Sequence, residues 1–372
     1  MSRQASFLRL FDRKWRLLFR NMSTASIPSQ DLITPRSIRL EASTACQLQC
    51  PLCSTGKGEI AKTIGTGVLR FHDFKKLVDA NPWVRDIELS SRGEIFLNKE
   101  LLSIIRYAHQ RHVALRADGG VNFNTVSDEV LEALVKYQFR SMKCAIDGAS
   151  QETYRKYRKG GDFETVLLHI RRLNEFKARH GSPFPKLTWQ FVAFGHNEHE
   201  IALARQRAKD LNMDFWLKLS WDETFSPIQD EDSIRREAGL GVASRTEYYE
   251  KYGDKYLETG ICSQLWKRPQ INWDGKVLGC CRNIWGDFGN AFQEGLVHSF
   301  NNPKIAYARR MLLGKAPPRK DIPCTTCPAY HTRKRDQRWL TMEKINAVST
   351  EIQTGDPQES SIANGSVGHA NL

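Results

Sequence analysis

The sequence predicts an α/β protein: an open, partial (β/α)6 barrel followed by a small C-terminal domain. Between residues 37 and 222, six short apolar stretches alternate with amphipathic helical ones. Beyond residue 222 this periodicity fades. The nine cysteines are unevenly spread: 46, 50 and 53, then 144, then 262, 280, 281, 324 and 327. Short apolar strands joined by crossover helices pair in parallel, with right-handed connections. Six strands are too few to close an eight-stranded TIM barrel, so a partial one is expected, with its chemistry at the C-terminal ends of the strands.

The elements follow in order. The first 22 residues carry six basic residues and one acid. On a helical wheel at about 100° per residue, Phe7, Leu8, Leu10, Phe11, Trp15, Leu17, Leu18 and Phe19 share one face, opposite Arg9, Arg13, Arg16 and Arg20. This basic amphipathic segment (residues 1–36) reads as a helix that lies on anionic lipid or docks on the protein's own body; the sequence leaves both open. Strands are expected at Ser37–Ala42, Asp86–Ser90, Val113–Ala117, Met142–Ile146, Leu187–Phe194 and Asp214–Leu219. Helices are expected at Phe71–Ala80, Glu100–Gln110, Asp128–Tyr137, Thr165–Arg179 and Glu198–Leu211. The barrel then spans 37–225, a helical linker 226–260, and a cysteine-bearing domain 261–335. The polar, Gly/Ser-rich tail 349–372 reads as disordered.

Composition excludes little but sets a compartment. A chain of 372 residues that is 40% hydrophobic and 10% aromatic is ordinary for a globular protein. No run approaches the roughly 20 apolar residues of a membrane span, and no secretory signal pattern opens the chain. A cytoplasmic location is expected, with peripheral membrane contact only through residues 1–22; cysteines there serve as metal ligands more often than as bridges. The net charge of +13 admits an anionic partner. Without basic runs interleaved with aromatics, nucleic acid is a weak candidate.

Cys46, Cys50 and Cys53 follow the first strand with the spacing C-x3-C-x2-C. Structural zinc normally takes four protein ligands, and no fourth is near in sequence. Three thiolates on a tight loop suit three irons of a cubane, with the fourth iron left to a non-protein ligand. Together with "SSRGEIFLN" after the second strand and "CAIDGASQETYRKYRKGGDFETVLLHIRRL" after the fourth, this loop resembles the radical S-adenosylmethionine (SAM) superfamily. The resemblance covers roughly residues 37–330. It implies that SAM is the missing ligand on a [4Fe–4S] cluster.

Further roles carry over from the resemblance. Gly93 and Glu94 match the family's Gly-Gly-Glu-Pro motif, which contacts the SAM amino group; Arg92 and Ile95 replace its first Gly and its Pro. Asn122 or Asn124 would bind the ribose, and Asn197 and Glu198 would lie near the nucleoside. Leu52 stands where an aromatic often precedes the third cysteine. Asp147, closing the fourth strand in "AIDG", is a catalytic candidate or, equally in pattern, an Asp-Gly turn residue. Cys144 reads as a small buried apolar side chain.

The second group has the form C-x12-G-x4-C, with Cys262 and Cys280 as its ends, followed by Cys324-x2-Cys327. Inside it, "INWDGKVLGCC" reads as a hairpin turning at Asp274-Gly275. Four thiols close a shell around zinc or a [4Fe–4S] cluster, and spacing alone does not choose. The pattern resembles the twitch domain, the shortened relative of the SPASM domain, and so implies one auxiliary [4Fe–4S] cluster. Cys281 is left as a substitute ligand, a hydrogen or proton donor, or a packing residue.

The resemblance implies an enzyme that reductively cleaves SAM to a 5′-deoxyadenosyl radical, using an external donor such as flavodoxin or ferredoxin. Hydrogen abstraction from a small-molecule or sugar-type substrate would follow, with the auxiliary cluster accepting an electron in a net oxidation of a carbohydrate or cyclitol alcohol. Asp147 and His196 are candidates for the base. A peptide or protein maturase and a redox-neutral epimerase share the same cofactors. No peptide-binding helix–strand pattern precedes residue 37, which counts against the maturase. A zinc-stabilised nucleic-acid-binding protein is the alternative from another class.

Overall fold

In the computed structural model, residues 32–253 and 256–348 are described. The amphipathic segment over residues 1–22 and the tail from residue 349 lie outside the described residues. Six parallel strands form where the periodicity predicts them: β1 (Ser37–Leu40), β2 (Asp86–Glu88), β3 (Ala114–Val121), β4 (Ser141–Ala145), β5 (Lys186–Ala193) and β6 (Asp214–Leu219). Strand β3 runs four residues further than its apolar stretch, through Gly119 and Gly120, with a register shift against β4 between Ala117 and Val121.

The sheet does not stop at six strands. A short hairpin, β7 (Gln270–Ile271) and β8 (Val277–Gly279), extends it past β1, giving the order β6-β5-β4-β3-β2-β1-β7-β8. β7 lies parallel to β1, with Arg39 opposite Gln270 and Leu40 opposite Ile271; β8 is antiparallel to β7. The hairpin expected inside a separate C-terminal domain is therefore continuous with the barrel sheet. Among the described residues β6 and β8 are the edges of this sheet, which is open.

The helices answer to local signals. Asp128–Lys136 starts on Ser127, whose hydroxyl accepts from the Val130 N–H, and Phe163–His180 starts on Asp162 in the same way. Gln151–Tyr157 and Pro303–Leu312 are helices that periodicity passed over. Both carry start signals: Ser150 caps the first, and Asn302 followed by Pro303 opens the second. The 226–260 segment holds helices Glu231–Glu237 and Arg245–Tyr252. Among the described residues no helix is long and apolar enough to cross a membrane.

Strand residues alternate between the two faces of the sheet. Ile38, Leu40, Ile87, Leu115 and Met142 are buried, as are Ile104, Leu131, Ile170 and Leu173 on the helices. The intervening strand residues are buried too, but charged: Arg39, Glu88 and Arg116. Arg39 donates to Gln270 Oε1 at 3.0 Å, Glu88 accepts from Ser90 Oγ at 2.7 Å, and Arg268 and Arg116 both pair with Asp86 at 3.1 and 2.5 Å. The barrel therefore has an ionic network where closed barrels carry apolar layers. Such a network commits the chain to one register, because removing one partner strands a buried charge.

Candidate active site

The cysteine loop leaves β1 and is clamped on both flanks. Asn98 donates to the carbonyls of Ala42 and Leu69 at 2.9 Å each, and the Gln49 N–H donates to the Lys159 carbonyl at 2.9 Å. The bend from Cys50 to Cys53 closes with a Cys53 N–H to Cys50 carbonyl bond of 3.1 Å. It packs so tightly on Gly56 that a Cβ there would sit 2.7 Å from the Cys50 carbonyl oxygen. Cys46, Cys50 and Cys53 all line one cavity of about 420 Å³ at the C-terminal ends of the strands. Burial pushes the Cys46 thiol up to about 11 and raises that of Cys50 as well. Neighbouring thiols that resist ionisation on their own are what a cationic cluster would relieve, since metals bind thiolates. The donor set fits an iron cluster.

Across the cavity stands the Ser91–Glu94 loop. Glu41, just past β1, accepts from the N–H groups of Ser91, Arg92 and Gly93 at 3.3, 3.0 and 3.4 Å. The Glu94 N–H donates to the Ala45 carbonyl at 2.8 Å, so this loop and the cysteine loop are stitched together. Gly93 lies at the closest approach: a Cβ would stand 2.3 Å from the Ser43 carbonyl oxygen and 2.5 Å from that of Ala45. The Glu94 carboxylate accepts from the Asn122 N–H at 2.6 Å and the Phe96 N–H at 3.2 Å. Burial raises Glu94 and Glu41 to about 7 each, and Asp118 to about 6. Each binds its proton more tightly folded than unfolded, where carboxyls titrate near 4. Their penalty is absent below that value and grows as pH rises to about 7. His196, whose pKa burial lowers, opposes this, and so do the carboxyls held low, Glu88, Glu200 and Glu247 among them, but those complete their titration by about pH 5.5. Stability of the metal-free protein is thus expected to fall between about pH 5.5 and 7, by on the order of 1–2 kcal/mol per raised carboxyl. Denaturant unfolding across that range measures it, and a rise would contradict the assignment.

The other sequence-predicted residues divide. Asn122 lines the cavity, accepts from Gln47 Nε2 at 2.8 Å and donates to Cys46 Sγ at 3.8 Å. Asn124 instead donates to Tyr154 Oη at 3.0 Å and accepts from the Asp162 N–H at 2.8 Å; it is outside the lining. Asn197 is fully buried, with its amide on the carbonyls of Asp147 and Val192 at 3.0 Å each; it braces the end of β5. Glu198 accepts from the N–H groups of Gln229 and Asp230, tying down the linker. His196 stacks on Phe194 at 5.3 Å and is not in the lining.

Asp147 is fully buried, and its carboxylate is engaged. It pairs with Arg158 Nη2 at 2.5 Å and accepts from the Val192 N–H at 2.7 Å, so it is neither a turn residue nor a wall of the cavity. What it presents is Arg158, which does line the cavity and donates to Cys50 Sγ at 3.8 Å. Arg158, Gln190 and Lys218 are cavity residues that the sequence reading passed over. Only the strand periodicity could have found the last two, as polar residues inside apolar strands.

In the second group, Cys262, Cys280, Cys324 and Cys327 act on one another electrostatically, and burial raises Cys262 to about 11 and Cys280 to about 12. The Cys281 thiol accepts from Gln264 Nε2 at 3.5 Å and its N–H donates to Gln264 Oε1 at 2.8 Å, outside the cavity lining. Cys144 is a fully buried strand residue. Among the described residues no three Cys, His, Asp or Glu side chains gather around a single-ion position. A cubane carries its thiolates on separate irons and does not need them to converge on a point. Arg92 connects the two regions, lining the cavity and donating to the Cys281 carbonyl.

Residues 262–328 match the SPASM family, an iron–sulfur cluster-binding domain. No curated protein sequence matches the chain. The fold is similar to that of Streptococcus suis SuiB, at a TM-score of 0.56 and 13% identity over 82% of this chain and 78% of SuiB. It is also similar to anSMEcpe in a structure with bound AdoMet, at 0.53 and 13% over 78% and 86%. Fold and family match define the class: an open α/β barrel of the kind seen in these two structures, carrying a C-terminal SPASM-type iron–sulfur cluster-binding domain.

Proposed function

We propose that the protein oxidises an alcohol carbon of a small sugar-type or cyclitol substrate by radical SAM chemistry. Cys46, Cys50 and Cys53 would hold a cluster that, with SAM and an electron from an external reductant such as flavodoxin or ferredoxin, would supply a 5′-deoxyadenosyl radical. The chain's own residues do the rest. Glu94 and the backbone around Gly93 hold the amino end of SAM, and Asn122 faces its ribose. Arg158 donates toward Cys50 and steadies the negative charge of the loop. Leu52, Tyr157 and Val192 keep water from the reacting carbon. Cys262, Cys280, Cys324 and Cys327 would hold an auxiliary cluster that could take the one electron left after hydrogen-atom loss from the alcohol carbon, the hydroxyl proton leaving to solvent.

One observation carries this reading. The three-thiol loop opens into a cavity whose Arg92 reaches the Cys281 carbonyl, beside the second thiol group. A four-thiol shell leaves an auxiliary cluster no open iron, so its role is electronic. The test is anaerobic reconstitution with SAM and dithionite, followed by mass spectrometry of site-deuterated sugars and cyclitols. Deuterium in 5′-deoxyadenosine together with a product two mass units lighter than its unlabelled substrate supports oxidation. An isomeric product of unchanged redox state, or a modified peptide, overturns it.

A further inference from the structure

The charge on the cavity wall is unbalanced. Its cations are Arg92, Arg158 and Lys218, and its one carboxylate is Glu94, which the backbone N–H groups of Asn122 and Phe96 hold in place. Arg158 has Asp147 as its partner and Arg92 has the Cys281 carbonyl. Lys218 has neither. Among the described residues its ammonium meets no carboxylate within ion-pair reach; it stands 5.3 Å from the Trp216 ring centroid. Electrostatically it faces Arg245, Lys143 and Arg158 as well as Asp147, three cations against one anion that is already paired. Burial lowers it to about 8, which still leaves it mostly charged at neutral pH. Lys218 is half-buried, and an ammonium that faces a cavity beside other cations is stabilised when an anion joins it.

Resting on the radical SAM reading, we propose that Lys218 anchors an anionic group of the substrate, so that the site takes acidic small molecules, carboxylate- or phosphate-bearing sugars, in preference to neutral ones. Its neighbours suit that ligand. Lys218 lies opposite Val192 in the β5–β6 register, two residues along from the Gln190–Trp216 pair, and the Gln190 side chain also borders the cavity. The amide supplies a donor and an acceptor for hydroxyls. Trp221, 46% exposed and part of the lining, offers a ring face to a sugar. Lys143 sits in the next layer of the barrel over the Trp216 ring at 3.9 Å and adds to the positive field.

SAM also carries a carboxylate, so the test separates the two anions. Calorimetric titrations of reconstituted wild type, K218M and K218R use SAM, glucuronate, glucose 6-phosphate and glucose as probes, with the sugars run both with and without SAM. Wild type is expected to bind one acidic sugar about tenfold or more tighter than glucose, the scale of a hydrogen bond to a charged group. Preference for glucuronate identifies a carboxylate and preference for glucose 6-phosphate a phosphate. K218M should abolish the preference while leaving SAM binding within about twofold, and K218R should restore part of it. Equal binding of glucose, no binding of either acidic probe, or a K218M defect confined to SAM overturns the assignment. The SAM-free arm reports on Lys218 alone, whereas failure of wild type to bind SAM counts against the functional reading instead.

Discussion

Replacing Asp147 with Ala is expected to cost about 3–5 kcal/mol of folding stability, the scale for stranding a buried charge. The reason lies in what the carboxylate holds. One oxygen carries the Arg158 guanidinium at 2.5 Å and the other the Val192 N–H at 2.7 Å, at a position with no solvent exposure to replace either bond. Loss of the carboxylate frees Arg158 from its position beside Cys50, so a second effect follows: weaker retention of the cluster on the first cysteine loop. Asp147→Asn keeps an acceptor for Val192 and should be intermediate. Denaturant unfolding measures the first effect and iron content after anaerobic reconstitution the second. If the Ala variant unfolds with wild-type stability and holds its iron, the carboxylate is not the brace described here.

Gly93→Ala should leave the protein folded, at an overpacking cost of about 1–3 kcal/mol, but lower SAM cleavage by about 100-fold, the usual penalty of a displacement near 1 Å at a reacting site. Its Cβ has no room: the atoms it would meet at 2.3 and 2.5 Å are the backbone carbonyls of Ser43 and Ala45, which cannot rotate away as a side chain would. Relief requires the Ser91–Glu94 loop to back off the cysteine loop, and this carries Glu94 from its place against the Asn122 N–H. SAM titration and 5′-deoxyadenosine yield, set against a melting curve, separate the two effects. Normal SAM turnover in this variant would show that the close approach does not position the cofactor.

Much of the site was legible before any coordinates. The C-x3-C-x2-C loop and the RGE segment follow consecutive strands, and chemistry in such folds gathers at strand ends, so Cys46, Cys50, Cys53, Gly93 and Glu94 could be placed together, while Asn122 and Asn124 could not be told apart. Asn124, Asn197 and Asp147 could not be sorted in this way. Each is a polar residue just beyond a strand, in the same local pattern as Asn122, yet one ties a turn to Tyr154, one braces β5 and one pairs with Arg158. Which of these a side chain does depends on atoms from other strands.

The sequence by itself determined the alternation of strands and helices, the open barrel, and the positions of the two thiol groups, because periodicity and ligand spacing are local properties that a few neighbouring residues encode. The tertiary structure alone decided that the β7–β8 hairpin continues the barrel sheet beside β1, that the lumen is lined with charge, and that Lys218 faces the cavity with no carboxylate partner among the described residues. Those outcomes depend on register and on contacts between residues tens to hundreds of positions apart, where the partner that neutralises or strands a charge is chosen by packing and not by the residues next to it.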